Sequence, residues 1–120
     1  MAFERLEAWR VAHELALAVF AQTDRWPRTE LYGVTAQVRR AALSVPTNIA
    51  EGAAKRGERE FGRFLDIALG SLSELCYLLR FSRDRGLLSD GEWQTLEAHR
   101  SSTGRLVYGL YRKMRPRARE

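Results

Sequence analysis

Residues 32–52 read YGVTAQVRRAALSVPTNIAEG, and the placement of apolar residues in this stretch decides the fold class. Starting from Leu31, the apolar residues Val34, Val38, Ala42, Val45 and Ile49 recur at spacings of three and four. That period places them on one face of a helix. Thr29 stands where an N-cap would open this helix and Gly57 where it would close, which predicts a helix over about residues 30–56. Pro46 falls inside the pattern, where it removes an amide donor and meets the carbonyl of Ala42, so a kink is expected at a cost of about 3 kcal/mol. Beside the apolar line, Gln37, Arg40, Ser44, Asn48 and Glu51 form a narrow polar stripe. Either something polar meets that stripe or it is a hydrated helix flank.

The same period extends in both directions, and no stretch alternates apolar and polar residues as a half-buried strand would. Upstream, Leu6, Trp9, Ala12, Leu15, Ala16, Val19 and Phe20 predict a first helix over about residues 6–24, ended by Trp26-Pro27. Downstream, Phe61, Phe64, Leu65, Ala68, Leu72, Leu75, Cys76 and Leu79 predict a third over about residues 58–85, stopped by Gly86. Ser89-Asp90-Gly91-Glu92 has capping-box spacing and opens a fourth over about residues 90–114, which turns Trp93, Leu96, Val107, Leu110, Tyr111 and Met114 inward. Short connections force neighbouring helices to run antiparallel, so the fold class is all-α. The expected architecture is one domain over residues 1–120, an antiparallel up-down-up-down four-helix bundle with a kinked second helix. The basic tail at 115–120 has little to bury and is expected to fray. The third helix carries a second apolar strip, Ile67, Leu78 and Phe81 with Tyr77 nearby, which favours an oligomer over scattered surface apolars.

A chain of 120 residues with 45% hydrophobic content supports one core without staples. It lacks any apolar run near the roughly 20 residues of a membrane helix. The opening MAFERLEAWR carries charge where a signal peptide would be apolar, and Cys76 is the lone cysteine, so a cytoplasmic location is expected.

Catalytic constellations are not legible. His13 follows Arg10 by three residues and His99 follows Leu96, so neither supplies the Glu-x-x-His pattern of a di-iron bundle. One cysteine and two separated histidines do not make a usual zinc site. Gly52, Gly57 and Gly62 fit no nucleotide loop and are expected to serve turns and close helix contacts. Ser44 and Ser71 lack a base in any recognisable motif. The expectation is a non-enzyme with no cofactor and no metal.

The net charge of +5 comes almost wholly from arginine, which binds phosphate and carboxylate bidentately. It gathers in two places. Lys55, Arg56, Arg59 and Arg63 surround the turn between the second and third helices, and the three arginines have the spacing of one ridge. Helix dipoles favour the same signs there, so the cluster reads equally as dipole compensation. Arg112, Lys113, Arg115, Arg117 and Arg119 form the second, a basic arm able to reach phosphates. Since no base-reading motif accompanies them, any nucleic-acid binding is expected to be backbone-directed and to weaken steeply with salt.

Residues 32–52 also resemble the signature of a bacterial family of four-helix-bundle proteins, related to products of intervening sequences in large-subunit (23S) ribosomal RNA genes. The resemblance continues through Glu60-Phe61, Phe64-Leu65, Ala68, Gly70-Ser71 and Glu74-Leu75, and earlier through Phe3, Leu6, Trp9, Ala12 and Leu15, covering residue 3 to about 80. Ala53-Ala54-Lys55-Arg56-Gly57 departs from it, since relatives commonly carry an aromatic or glycine and an arginine after AEG. The family includes the accessory variability determinants of diversity-generating retroelements, which this chain resembles in size and basic character. That resemblance implies a homopentameric ring that associates with a reverse transcriptase and with RNA or DNA through its positive surface. Subunit contacts would then involve the polar stripe and Ile67, Leu78 and Phe81. Two functions follow as expectations. One is a nucleic-acid-binding accessory protein, and the other is a scaffold of the intervening-sequence class whose basic rim meets an acidic partner.

Overall fold

The four apolar stripes become four helices: α1 (Glu7–Thr23), α2 (Val34–Ala53), α3 (Glu58–Asp84) and α4 (Asp90–Met114). The computed structural model describes residues 2–114, so the expected tail at 115–120 lies outside the described residues. α1 packs on α2 and α4, and α3 packs on the same two helices. Successive helices therefore close into an antiparallel up-down-up-down bundle of 48 × 27 × 21 Å. Its two ends differ. One pole holds the α1–α2 and α3–α4 connections, and the other gathers a 3-10 turn at Ala2–Arg5, the α2–α3 turn and the end of α4. No described helix is long and apolar enough to cross a membrane.

Local chemistry explains the helix ends. α3 starts after Gly57 at φ 84° and stops before Gly86 at φ 87°, a backbone region where a side chain would be strained. Leu87 N–H donates to Ser82 O at 2.8 Å and Gly86 N–H to Arg83 O at 3.0 Å, the paired bonds of a Schellman stop. α4 opens on a reciprocal cap, with Ser89 N–H donating to Glu92 Oε1 at 2.8 Å and Glu92 N–H to Ser89 Oγ at 3.0 Å. The start of α2 differs from expectation. Thr29 sits inside a 3-10 turn at Arg28–Glu30, and the N-cap position falls to Gly33, which has no side chain to cap with. α2 then runs unbroken through the buried Pro46.

Leu15, Val19, Val38, Val45, Ile49, Leu65, Leu75, Leu79 and Val107 fill the core. Several buried hydroxyls among them bond to their own helix. Thr23 donates to Val19 O at 2.8 Å, Ser82 to Leu78 O at 2.7 Å and Thr103 to His99 O at 2.8 Å, whereas Thr35 Oγ1 and the indole nitrogens of Trp26 and Trp93 are buried without a partner among the described residues. Leu78 corrects one expectation, because it is only 6% exposed and belongs to the core rather than to an outward strip. α4 is the least immersed helix, burying only Leu96, Thr103 and Val107.

Candidate nucleic-acid interface

The basic pole is built around a contact that only glycine permits. A Cβ on Gly52 would lie 2.7 Å from Phe64 Cβ and 2.9 Å from Phe61 Cδ1, so α2 and α3 meet backbone to ring just before their turn. This contact seats the Phe64 ring between two cations, with the Arg63 guanidinium 4.7 Å and Lys55 Nζ 5.5 Å from its centroid. Such contacts contribute about 0.5–1 kcal/mol at exposed sites and hold both side chains beside the turn. Arg63 also reaches Glu60 at 3.3 Å. Arg56 and Arg59 are exposed and pair with no described carboxylate. The expected ridge of three arginines is shorter than its spacing suggested. Arg56 precedes the Gly57 turn, which leaves Arg59 and Arg63 on α3 itself. Glu58 and Glu60 occupy the first turn of α3, where the helix dipole favours them.

The second cluster arrives at the same pole from α4. A Cβ on Gly62 would lie 3.3 Å from Met114 O, so the end of α4 rests on the first turns of α3. Arg112 and Lys113 are exposed there. Two groups of cations far apart in sequence thus become neighbours in space. Lys113, Arg105 and Arg5 also line a groove of about 350 Å³ between the start of α1 and α4, with Glu7 as its acid and Gly109 in its wall. Arg115 and Arg117, expected to join this cluster, lie outside the described residues.

At the opposite pole four arginines are engaged within the chain, and Arg28, exposed in the 3-10 turn, meets no described carboxylate. Arg25 meets Glu92 at 3.1 Å, Arg39 meets Asp24 at 2.7 Å, Arg83 meets Asp90 at 2.9 Å and Arg85 meets Glu30 at 3.2 Å. Each pair joins two different elements. The Glu92 carboxyl is held below the usual glutamate range, chiefly by the Ser89 backbone amide and against some desolvation.

The expected polar seam divides in two. Ser44 Oγ and Ser71 Oγ are 2.7 Å apart across α2 and α3, and Asn48 Nδ2 donates to Ser44 Oγ at 2.9 Å and to Ser44 O at 2.8 Å. Gln37, Arg40 and Glu51 instead face outward. So do Ile67 at 42%, Phe81 at 41% and Tyr77 at 65% exposure. Leu78 floors a groove of about 370 Å³ among Val34, Gln37, Tyr77, Phe81 and Arg85.

Ser44 and Ser71 bond each other and Asn48, and the Cys76 thiol donates to Glu97 Oε2 at 3.9 Å, a carboxylate that Arg100 holds as an ion pair. His13 stacks on Trp9 at 5.0 Å and 6°. Among the described residues, no three His, Cys, Asp or Glu side chains could hold a metal ion. The feature that sequence reading missed is the outer face of α4. Its signal was the absence of any Asp or Glu from Ala98 to Arg119, a stretch that carries Arg100, Arg105, Arg112 and Lys113.

Comparison with known proteins agrees with the architecture. A crystal structure of a protein of unknown function from the S23 ribosomal protein family of Bacteroides thetaiotaomicron VPI-5482 superposes with a TM-score of 0.79 at 17% identity. The match covers 87% of this chain and 97% of that one, and at that identity it speaks for the fold alone. No functionally curated protein matches the sequence. The sequence pattern of the 23S rRNA-intervening sequence proteins matches residues 4–109, and the chain therefore belongs to the 23S rRNA-intervening sequence protein family.

Proposed function

We propose that this protein is a non-catalytic accessory factor that binds the backbone of RNA or DNA through its basic pole and assembles with copies of itself. The observation that carries the reading is the convergence at one pole of Arg56, Arg59, Arg112 and Lys113, which meet no described carboxylate, with Lys55 and Arg63 beside them. At the other pole Arg25, Arg39, Arg83 and Arg85 are ion-paired between elements and, among the described residues, the exposed Arg28 is not. Cations left without internal partners are the ones that gain most from phosphates, through counterion release. Fluorescence anisotropy with labelled RNA and DNA across a salt series tests this. Binding at about 50 mM salt that falls steeply with log salt is the expected outcome, and no binding at that salt refutes the reading.

Self-association is supported by the α2–α3 face. Ile67, Tyr77 and Phe81 are exposed around Gly70, a helical glycine whose Cβ would meet nothing within 4 Å of its own chain. A glycine in a helix interior costs about 1 kcal/mol relative to alanine, and close approach of another helix offsets that. With the resemblance to retroelement accessory proteins, this face supports a homopentameric ring in the cytoplasm, with a reverse transcriptase as a further partner. Native mass spectrometry giving only the monomer at micromolar concentration would refute the ring. The exposed cations of the basic pole also favour a second reading, a protein-interaction scaffold whose basic rim meets an acidic partner. Capture of that partner from nuclease-treated lysate, with no affinity for nucleic acid, would establish the second reading over the first.

A further inference from the structure

The outer face of α4 combines charge with exposed aromatic surface in a way that the basic turn does not. Arg105, Tyr108 and Arg112 are separated by three and four residues, so they share one helical face, and all three are exposed. Tyr108 is 49% exposed, yet it is not a loose side chain. Its ring lies 6.2 Å from that of Tyr111 at 33°, and Tyr111 packs against the core. One edge of Tyr108 is thereby supported while much of its surface stays open.

The arginines beside it are free for an anion. Arg105 donates to Ser101 Oγ at 3.1 Å and to Ser102 Oγ at 3.2 Å, contacts that orient the guanidinium without neutralising it. Arg112 pairs with no described carboxylate, and the sequence supplies no acid between Ala98 and Arg119 to do so. Gly104 and Gly109 border this face, and a Cβ on either would meet nothing within 4 Å. Nothing inside the chain requires glycine at these helical positions. Gly104, four residues before Tyr108, leaves backbone without a side chain on one flank of its ring, and Gly109 does the same on the flank beside Arg105 and Arg112.

We propose that this face binds single-stranded nucleic acid, with an unpaired base stacked on Tyr108 and the flanking phosphates taken by Arg105 and Arg112. The proposal rests on the polyanion reading above and names the strand form it applies to. Seven residues of helix separate the two arginines by about 10 Å along the axis, which leaves room for a nucleoside between two phosphate contacts. In a duplex the base faces are already stacked on each other, so Tyr108 gains a partner only where bases are unpaired.

The test uses the full chain and three labelled probes about 20 nucleotides long, which exceeds the usual site size. They are a single strand of oligothymidine, its duplex with oligoadenine, and an abasic strand with the same phosphodiester backbone. Circular dichroism checks that each variant keeps its helix content. Tyr108→Ala should weaken binding to the single strand roughly ten- to hundred-fold, while Tyr108→Phe keeps it within about twofold. Neither change should alter affinity for the duplex or the abasic strand. The salt slope should be unchanged in Tyr108→Ala and should fall by about 0.7 in Arg105→Gln, which loses one phosphate contact. A Tyr108→Ala variant that binds the single strand like the parent, or that loses strand and duplex equally, overturns the stacking proposal alone. A parent protein that binds none of the three probes at low salt overturns the polyanion reading together with it.

Discussion

The two poles of the bundle use the same residue type in opposite ways. Where α1 joins α2 and α3 joins α4, Arg25, Arg39, Arg83 and Arg85 each reach a carboxylate on another element. Where α2 joins α3 and α4 ends, Arg56, Arg59, Arg112 and Lys113 reach no described carboxylate, and Lys55 and Arg63 rest on the Phe64 ring. A count of arginines does not distinguish these poles. The difference lies in pairing, and pairing is a property of the folded chain.

The sharpest way to break this contrast is to reverse charge at each pole in turn. Arg56→Glu, Arg59→Glu and Arg112→Glu together should lower affinity for a labelled nucleic acid by on the order of a hundredfold at low salt. Arg25→Glu, Arg83→Glu and Arg85→Glu change net charge equally and should cost less than about threefold. Equal losses would mean that net charge alone drives binding and that the poles do not differ.

Next in size is the packing that shapes the basic pole. Gly52→Ala should destabilise the protein by about 1–3 kcal/mol in urea melts, because Phe64 and Phe61 must move to admit the methyl group. Gly109→Ala has open space around its Cβ and should stabilise by up to about 1 kcal/mol, through helix propensity. Opposite signs for two glycine-to-alanine changes would show that Gly52 is held by contact and Gly109 is not.

At the ion-paired pole the effects are smaller. Ser89→Ala should cost about 1 kcal/mol by removing half of the α4 cap. The Glu92 carboxyl is depressed in the folded state, so its contribution is present above the ordinary glutamate value of 4.5 and is lost as pH falls through its lowered folded value. The stability gap between the parent and Glu92→Gln should therefore close on acidification, as followed by thermal melts from neutral pH downward. Smallest is Arg85→Gln, expected to cost under about 1 kcal/mol and less in high salt, since its partner Glu30 is reached from an exposed side chain.

How much of this was legible in the sequence depends on the range of the signal. The limits of α3 and α4 were readable because Gly57, Gly86 and the Ser89-Glu92 box act within one turn of themselves. The start of α2 was not, because Thr29 is taken up by a 3-10 turn and Gly33 opens the helix without a side-chain cap. Leu78 resembled a surface residue on a helical wheel, but it is only 6% exposed and belongs to the core cluster. Both basic clusters were visible as charge. Their meeting was not, since it depends on the length of α4 bringing Met114 back against Gly62.

The hydrogen bond between Ser44 and Ser71 also serves as an index mark between two otherwise slippery surfaces. Apolar stripes tolerate sliding, because one methyl group resembles the next. A hydroxyl pair does not, and a shift of one helical turn, about 5.4 Å, would set both hydroxyls against unsuitable neighbours. The same shift would drive Phe64 away from Gly52, which lies about 12 Å farther along α2. The layout of cations at the basic pole is thus calibrated by two serines near the middle of the bundle, neither of which touches a charge.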